Sequence, residues 1–173
     1  MYYLTTHKTP IGNYTLACDE NENLVGLWLE GQKYFLDTIK SKTTKNENLE
    51  IFKKTKNWLD RYFKGEKPEI SELPLFLFGS DFRKRVWQIL TKIPYGKVCT
   101  YGDIAKIIAK EQNIEKMSSQ AVGNAISHNP ISIIVPCHRV VGKNGSLVGY
   151  AGGIEAKIKL LKLEKIDTNK FFI

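Results

Sequence analysis

The sequence predicts an α/β protein of two domains, a small α/β domain over residues 1–79 and a mainly helical domain over residues 80–173. Three observations carry this prediction. Short strand-like runs open the chain, capped helical patterns follow residue 79, and the whole excess of positive charge lies after that residue. At 173 residues the chain is long enough to bury one or two hydrophobic cores.

The first domain begins with three predicted strands, the runs YYLTT, YTLAC and LVGLWL, and the turn-forming residues between them favour antiparallel pairing. Two helices are expected next, a short one near residues 32–40 and a firmer one ended by Gly65 and Pro68. One face of the firmer helix is apolar and comprises Ile51, Phe52, Leu59, Tyr62 and Phe63. The stretch SELPLFLFG then predicts a packed connection rather than a loose linker.

The second domain contains four predicted helices. Ser80 and Asp81 offer an N-cap for a helix that Pro94 ends, and the stretch TYGD resembles a capping box that starts another helix near Tyr101. Ser118 and Ser119 can cap a third, QAVGNAISH, and a terminal helix runs from Ile154 through about Lys165. The exposed side of the third helix is expected to comprise Gln120, Ala121, Gly123, Asn124 and Ala125. A helix, a loop and a small-residue helix form the outline of a helix-turn-helix, although many other helical domains share it.

Charge separates the two domains. Residues 1–79 carry 11 basic and 11 acidic side chains, whereas residues 80–173 carry 15 and 7 and therefore the whole net charge of +8. Such a field favours a polyanionic partner, and nucleic acid is favoured over a membrane because no basic amphipathic helix with an aromatic face is predicted. A basic surface that serves only solubility stays the alternative.

The chain start, MYYLTTHKTP, does not have the pattern of a secretory leader, and no apolar run approaches the roughly 18 residues of a membrane span. Cys18, Cys99 and Cys137 are an odd number of cysteines far apart in the chain, which indicates neither a disulfide framework nor a zinc knuckle. The sequence therefore predicts a cytoplasmic protein with at least one free thiol and no metal.

Cys137 has the most reactive surroundings, in the stretch SIIVPCHRVVG. A lone cysteine is more often a packed small hydrophobe than a nucleophile. Against this, Pro136 stiffens the backbone, while His138 and Arg139 favour the thiolate. Adjacent side chains diverge in an extended chain, so a zinc site at this pair is disfavoured, and His138 would act on the sulfur through a bridging water. Packing and nucleophilic attack stay open on these residues alone.

The stretch IVPCHRVVGKNGSLVGYAGG, followed by KLLKLEK, resembles the active-site region of the O6-alkylguanine-DNA alkyltransferases. The resemblance extends back through HNP, QAVGNA and PYGKVCTYGDIA and covers most of the second domain. It implies a ribonuclease-H-like first domain of structural role and a winged-helix second domain that binds DNA and transfers the alkyl group.

The implied activity is direct-reversal repair, in which an alkyl group moves from O6 of guanine to Cys137 in a single turnover without a cofactor. This is the activity of a methylated-DNA–[protein]-cysteine S-methyltransferase. The implied partner is double-stranded DNA containing O6-alkylguanine, bound through its minor groove by a monomer. Action on O4-alkylthymine and clustering of several molecules on DNA are left open.

The resemblance also implies roles for individual residues. Cys137 would be the nucleophile, His138 its water-mediated base, and Glu164 the carboxylate that orients and charges the histidine. Asn129 would hold the water network, and Tyr101 would meet the phosphate beside the target nucleotide and donate a hydrogen bond to the leaving guanine.

The remaining implied contacts are to DNA and the flipped base. Tyr150 and Ala151 would lie against the guanine, and the carbonyls of Val140 and Cys137 would accept from its amino group. Arg139 is assigned to the substrate- and DNA-binding residues. The third helix would enter the minor groove with Gln120, Ala121, Gly123 and Asn124.

One position departs from the family pattern. Where most relatives have an arginine that fills the gap left by the flipped base, this chain has Gln120. Glutamine lacks the cation and the plane of guanidinium, so weaker extrusion is expected, with Lys116 as a partial substitute. Two rival functions are a module that recognises alkylated guanine without repairing it, whose known members lack the cysteine, and a cysteine hydrolase built on Cys137, His138 and Glu164.

Overall fold

The structure, a computed structural model, describes residues 1–147 and 149–173 and groups them into two compact units. The first unit contains residues 1–78 and Pro130–Ser132, and the second contains residues 79–129 and 133–173. The sequence analysis instead ended the first domain at residue 79 and assigned no later segment to it. The segment Pro130–Ser132 joins the first unit because it pairs with Leu27. The N–H of Leu27 donates to the Pro130 carbonyl at 2.8 Å, and the Leu27 carbonyl accepts from the N–H of Ser132 at 2.9 Å.

The first unit is built on a four-stranded sheet of order β3-β2-β1-β4. The strands β1 (Tyr2–Thr9), β2 (Gly12–Cys18) and β3 (Leu24–Leu29) are the three predicted strands, and they pair antiparallel as expected. Helix α1 (Glu50–Phe63) follows, and its buried residues are Ile51, Phe52, Thr55, Trp58, Leu59 and Tyr62. Four of the five residues predicted for its apolar face are buried, and Phe63 is half-buried.

The expected short helix at residues 32–40 is wrong, because this segment forms successive turns. Tyr34 and Leu36 have φ angles of 58° and 56°, in the left-handed region. An α-helix needs consecutive residues in the right-handed region, so these two residues interrupt it. The next element, β4 (Thr43–Lys45), pairs parallel to β1 and was not predicted. All three of its residues are exposed, so no burial pattern marks the strand in the sequence.

The second unit contains the four expected helices, α2 (Asp81–Leu90), α3 (Tyr101–Glu111), α4 (Ser119–Ser127) and α5 (Ile154–Leu163). The predicted caps are present on the first three. The side chains of Ser80 and Ser118 accept from backbone N–H groups of α2 and α4, and Thr100 forms a reciprocal capping box with Asp103 at the start of α3. Such caps satisfy backbone donors that a helix start leaves unpaired.

A short parallel sheet joins β5 (Cys99–Thr100) to β6 (Val140–Val141) in the second unit. Strand β5 leads directly into Tyr101, the first residue of α3, and β6 directly follows Arg139. The pairing therefore brings the start of α3 beside the stretch PCHRV, although 36 residues separate Tyr101 from Cys137 in the numbering. None of the helices in the described part of the chain is both long and apolar enough to span a bilayer.

Candidate active site

Cys137 is held by a tight, fully buried segment of backbone. The φ and ψ angles of Pro136 are −82° and 64°, those of an inverse γ-turn, and the Cys137 N–H donates to the Val135 carbonyl at 2.8 Å. The Asn129 side chain donates to the same carbonyl at 2.8 Å. A single 3₁₀ turn, Cys137–Arg139, follows. Proline thus contributes by pre-setting its own φ angle, and Asn129 ties the end of α4 to the residues before the thiol.

His138 and Glu164 form a buried hydrogen bond. The Nε2 atom of His138 lies 2.7 Å from Oε1 of Glu164, and both side chains are completely shielded from solvent. Glu164 follows the last residue of α5, whereas His138 lies in the turn after Pro136. The tertiary fold therefore assembles the pair that the resemblance implied across 26 residues of sequence.

Arg139 completes this cluster. Its guanidinium donates to both carboxylate oxygens of Glu164 at 2.9 Å and to the Ile93 carbonyl at 2.7 Å, and it lies 5.7 Å from the centre of the Tyr95 ring. The sequence analysis assigned Arg139 to DNA binding; in the structure the residue is only 8% exposed, and its donors bind the Glu164 carboxylate and the Ile93 carbonyl. Arg139 thus fixes the Glu164 carboxylate, which in turn orients His138.

The charges in the cluster determine the protonation of each member. Burial alone would raise the pKa of Glu164, but the hydrogen bonds and charges of His138 and Arg139 lower it to about 2. Burial lowers the pKa of His138, and the hydrogen bond and charge of Glu164, which raise it, are opposed by the positive charges of Arg139 and Lys157. His138 is therefore a neutral imidazole at pH 7. Its Nε2 carries the proton that the ionised carboxylate accepts, which leaves Nδ1 as the basic nitrogen.

The thiol of Cys137 is a protonated group in its resting state. Burial raises its pKa, against a hydrogen bond from Asn129, the charge of Lys157 and the backbone N–H groups of Cys137 and His138, which all favour the thiolate. Cys18 and Cys99 differ in that burial and nearby acidic residues raise their pKa values, to about 12 and about 11. Of the three thiols, Cys137 is the one for which a nearby cation is among the causes that lower the pKa.

Tyr101 is the first residue of α3, and it lies near enough to Cys137 for a charge on that thiol to affect its pKa. Burial, and the negative charge that Cys137 can carry, raise the pKa of Tyr101 to about 12, so its hydroxyl stays a hydrogen-bond donor over the physiological range. Gly123 and Gly149 border this side chain. A Cβ on Gly123 would lie 3.6 Å from the Tyr101 ring, and one on Gly149 would lie 3.0 Å from its hydroxyl oxygen. Gly149, with a φ angle of 91°, lets the loop before α5 approach the tyrosine closely, whereas 3.6 Å at Gly123 is an ordinary contact distance.

The exposed face of α4 contains the residues predicted for DNA contact. Gln120, Ala121 and Asn124 are exposed and Gly123 is half-exposed, so the face presents small and uncharged polar side chains. Ala125 was expected on this face and is instead 1% exposed. Its carbonyl accepts a hydrogen bond from the Trp87 indole at 2.8 Å, which fixes the opposite side of α4 against α2.

Tyr150 and Ala151 lie in the loop before α5 and are half-buried. A turn holds them, since the N–H of Gly153 donates to the Tyr150 carbonyl at 3.1 Å. The carbonyl of Val140 accepts from the Lys157 ammonium at 2.6 Å, and that of Cys137 accepts from the N–H of Val140. A carbonyl oxygen has two lone pairs, so each retains capacity for a second donor.

Comparison with known proteins identifies the family of the chain. Residues 1–77 match the ribonuclease-like domain of 6-O-methylguanine DNA methyltransferase, and residues 81–166 match the DNA binding domain of the same family. The chain belongs to the O6-alkylguanine-DNA alkyltransferase family. The two matched regions include most of the chain, so the family assignment does not depend on the PCHRV stretch alone.

Individual relatives support the assignment over nearly full length. A methylated-DNA–protein-cysteine methyltransferase of Methanosarcina acetivorans is 43% identical over 95% of this chain and 98% of its own. The constitutive enzyme of that name from Bacillus subtilis is 37% identical over 96% and 98%. A crystal structure of the Mycobacterium tuberculosis OGT in complex with DNA superposes with a TM-score of 0.80 at 38% identity, covering 98% of this chain and 94% of that one.

The sequence analysis missed two residues that contact the predicted site residues, Gly96 at Glu164 and Lys157 at Val140. Gly96 has a φ angle of 75°, and its N–H donates to Oε2 of Glu164 at 3.0 Å, so the turn PYGKV supplies one more donor to the carboxylate. Lys157 is completely buried within α5. A signal for Lys157 exists in the sequence, since residues 157 and 164 are two helical turns apart and share the face of α5 that positions Glu164.

The arrangement suits nucleophilic chemistry at Cys137. It combines a buried thiol, a neutral imidazole whose Nε2 is held by a carboxylate, and a phenol that keeps its proton at the start of α3. No cluster of three or more potential metal ligands occurs among residues 1–147 and 149–173. A thiolate is a polarizable nucleophile suited to displacement at a saturated carbon, the reaction that alkyl transfer from oxygen requires.

Proposed function

We propose that this alkyltransferase repairs DNA by moving a methyl or other alkyl group from O6 of guanine to the sulfur of Cys137. The observation that carries the assignment is the buried His138–Glu164 hydrogen bond of 2.7 Å directly beside the cysteine. An orienting carboxylate, a base and a thiol in that order form the arrangement that activates a nucleophile.

In this mechanism the thiol proton passes through a bridging water to Nδ1 of His138, and the thiolate attacks the alkyl carbon opposite O6. The sulfur–carbon bond forms as the carbon–oxygen bond breaks, and the electron pair goes to the guanine. Tyr101 donates to the guanine as charge develops, and its high pKa suits a donor that is not itself ionised. Across the whole reaction, guanine exchanges the alkyl group for the thiol proton. Water does not cleave the thioether, so each molecule acts once.

We also propose that the target nucleotide is flipped out of double-stranded DNA approached from the minor groove. A helix enters a narrow groove only if its side chains are small, and Ala121 and Gly123 on the outer face of α4 meet that requirement. Extrusion costs a few kcal/mol, and the basic residues of the second domain supply phosphate contacts that offset it. Tyr150, Ala151 and the Val140 carbonyl would contact the extruded guanine.

The first domain would then serve a structural role, and a monomer would suffice for the reaction, because every proposed catalytic residue lies in the second unit. The three cysteines are free thiols, which supports a reducing compartment such as the cytoplasm. O4-alkylthymine meets the same chemical requirement as a second substrate, since its alkyl group is also bonded to an exocyclic oxygen.

The test is to incubate the protein with a duplex containing O6-methylguanine and to weigh both molecules. A gain of one methyl group on Cys137, with unmodified guanine restored in the DNA, is the expected result. The Cys137→Ser variant should bind the duplex without gaining mass, and Cys99→Ser should react like the parent because Cys99 lies outside the catalytic cluster. Binding by the parent protein without any mass change would identify a recognition module. Neither binding nor a mass change in the protein or the DNA would refute repair.

A further inference from the structure

The pairing segment, residues 170–172, lies alongside the loop that follows strand β6. The N–H of Leu147 donates to the Phe172 carbonyl at 2.9 Å, and the N–H of Phe172 donates to the Gly145 carbonyl at 3.0 Å. Gly145 permits this approach, because its φ angle is 89° and a Cβ added to it would lie 2.8 Å from the Lys170 carbonyl oxygen. A second length of backbone therefore fixes the loop at residues 145–147.

An apolar cluster anchors the pairing segment. Phe171 packs against three buried side chains, one each from β6, the loop and α5, which are Val141, Leu147 and Leu161. The side chain of Phe172 is instead 55% exposed, so this residue contributes its backbone groups rather than its ring. Anchoring and hydrogen bonding are thus divided between two adjacent phenylalanines.

The same loop lies between two of the proposed contacts to the flipped guanine. Strand β6, which contains Val140, precedes the loop, and Tyr150 lies near the end of the loop. Gly149, beside Tyr150, approaches Tyr101 so closely that an added Cβ would lie 3.0 Å from the hydroxyl oxygen. Only a short stretch of backbone separates Leu147 from Tyr150, so the place at which Leu147 is fixed constrains where Tyr150 can lie.

We propose that Phe171 and Phe172 are positioning residues for alkyl transfer, which fix the loop at Leu147 and thereby hold Tyr150 in place for the flipped guanine. A loop that is ordered before the base arrives loses less conformational freedom on binding, so the base is bound more tightly. The effect on transfer rests on the proposed function, whereas the anchoring of the loop depends only on the pairing and packing of these two residues.

The two phenylalanines provide matched variants. Phe172→Pro removes the N–H that donates to Gly145, and the preceding residue, Phe171, already has φ and ψ angles of −113° and 157°, which a following proline accepts. Phe172→Ala is its control, because it removes the exposed ring and keeps the N–H. Phe171→Ala removes the anchor from the apolar cluster, and Phe171→Leu keeps a large apolar side chain there.

Hydrogen exchange at the Gly153 amide, followed by NMR, tests the anchoring without any substrate. This N–H donates to the Tyr150 carbonyl at 3.1 Å, so its exchange reports on the turn that holds Tyr150. Exchange should be about fivefold faster or more in Phe172→Pro and in Phe171→Ala, the factor that corresponds to the net stabilisation of one hydrogen bond. Phe172→Ala and Phe171→Leu should exchange like the parent protein. Unchanged exchange at Gly153 in both Phe172→Pro and Phe171→Ala would overturn the proposal.

Single-turnover methyl transfer from a duplex containing O6-methylguanine tests the consequence, at a temperature at which circular dichroism shows every variant folded. Phe172→Pro should transfer the methyl group about fivefold more slowly or worse than Phe172→Ala, yet bind an unmodified duplex equally well in a gel-shift assay. A general loss of structure would weaken both. Equal transfer rates for these two variants would contradict the positioning role. A parent protein that gains no methyl group would instead refute the proposed function, and the exchange at Gly153 would still decide whether the loop is anchored.

Discussion

Replacing Glu164 by glutamine tests how the buried cluster is stabilised. The carboxylate accepts from His138, from the Arg139 guanidinium and from the N–H of Gly96. Glutamine has nearly the same shape, but one of its terminal groups is a donor that would face other donors. It also leaves the Arg139 charge buried without an anion, which is a strongly destabilising arrangement.

The magnitude follows from the pKa of Glu164, which falls from 4.5 to about 2 in the folded protein. Each pKa unit corresponds to about 1.4 kcal/mol, so the ionised carboxylate contributes about 3 kcal/mol to the free energy of unfolding. Because the folded pKa is depressed, this contribution is complete above about pH 4.5 and is lost as the pH falls toward about 2. Glu164→Gln should therefore be less stable than the parent by about 3 kcal/mol at neutral pH, and the difference should shrink in acid.

Urea unfolding followed by circular dichroism, repeated from neutral pH down to the lowest pH at which both proteins fold, measures this difference. The matched control is Glu111→Gln, which removes a carboxylate from an exposed ion pair with Arg85 and should change stability far less. A loss for Glu164→Gln no larger than that of the control, or a loss independent of pH, would refute the reasoning. Methyl transfer by Glu164→Gln should also be slower, because the uncompensated Arg139 charge disfavours protonation of His138.

Three further outcomes are expected. Gln120→Arg should speed repair of duplex DNA and leave the rate on a single-stranded oligonucleotide unchanged, since only the duplex requires a filled gap; equal rates on duplex before and after the change would contradict this. Asn129→Ala should lower the free energy of unfolding by about 1 kcal/mol through its lost buried hydrogen bond, and should shift the titration of Cys137 to higher pH. Gly123→Leu should weaken duplex binding about tenfold or more in a gel-shift assay, whereas Gly123→Ala, whose added methyl meets the Tyr101 ring at an ordinary 3.6 Å, should retain most of it.

Local sequence patterns predicted the elements that have local causes. The caps at Ser80, Thr100 and Ser118 mark helix starts because the side chain that accepts and the N–H that donates are three residues apart. The three antiparallel strands of the first unit were predicted for a similar reason, since burial and turn residues repeat over short distances. The expected helix at residues 32–40 failed because left-handed backbone at non-glycine residues leaves no composition signal.

The sequence by itself determined that Cys137 has a base beside it, that the second half of the chain is basic, and that a small-residue helix precedes the thiol. Only the tertiary structure decided which charges meet. It turned Arg139 inward onto Glu164, made His138 a neutral base, and buried Lys157 while Lys159 stayed exposed. The free energy of an ionised side chain depends on its burial and on its distance to an opposite charge, and the spacing of residues in the sequence gives neither quantity.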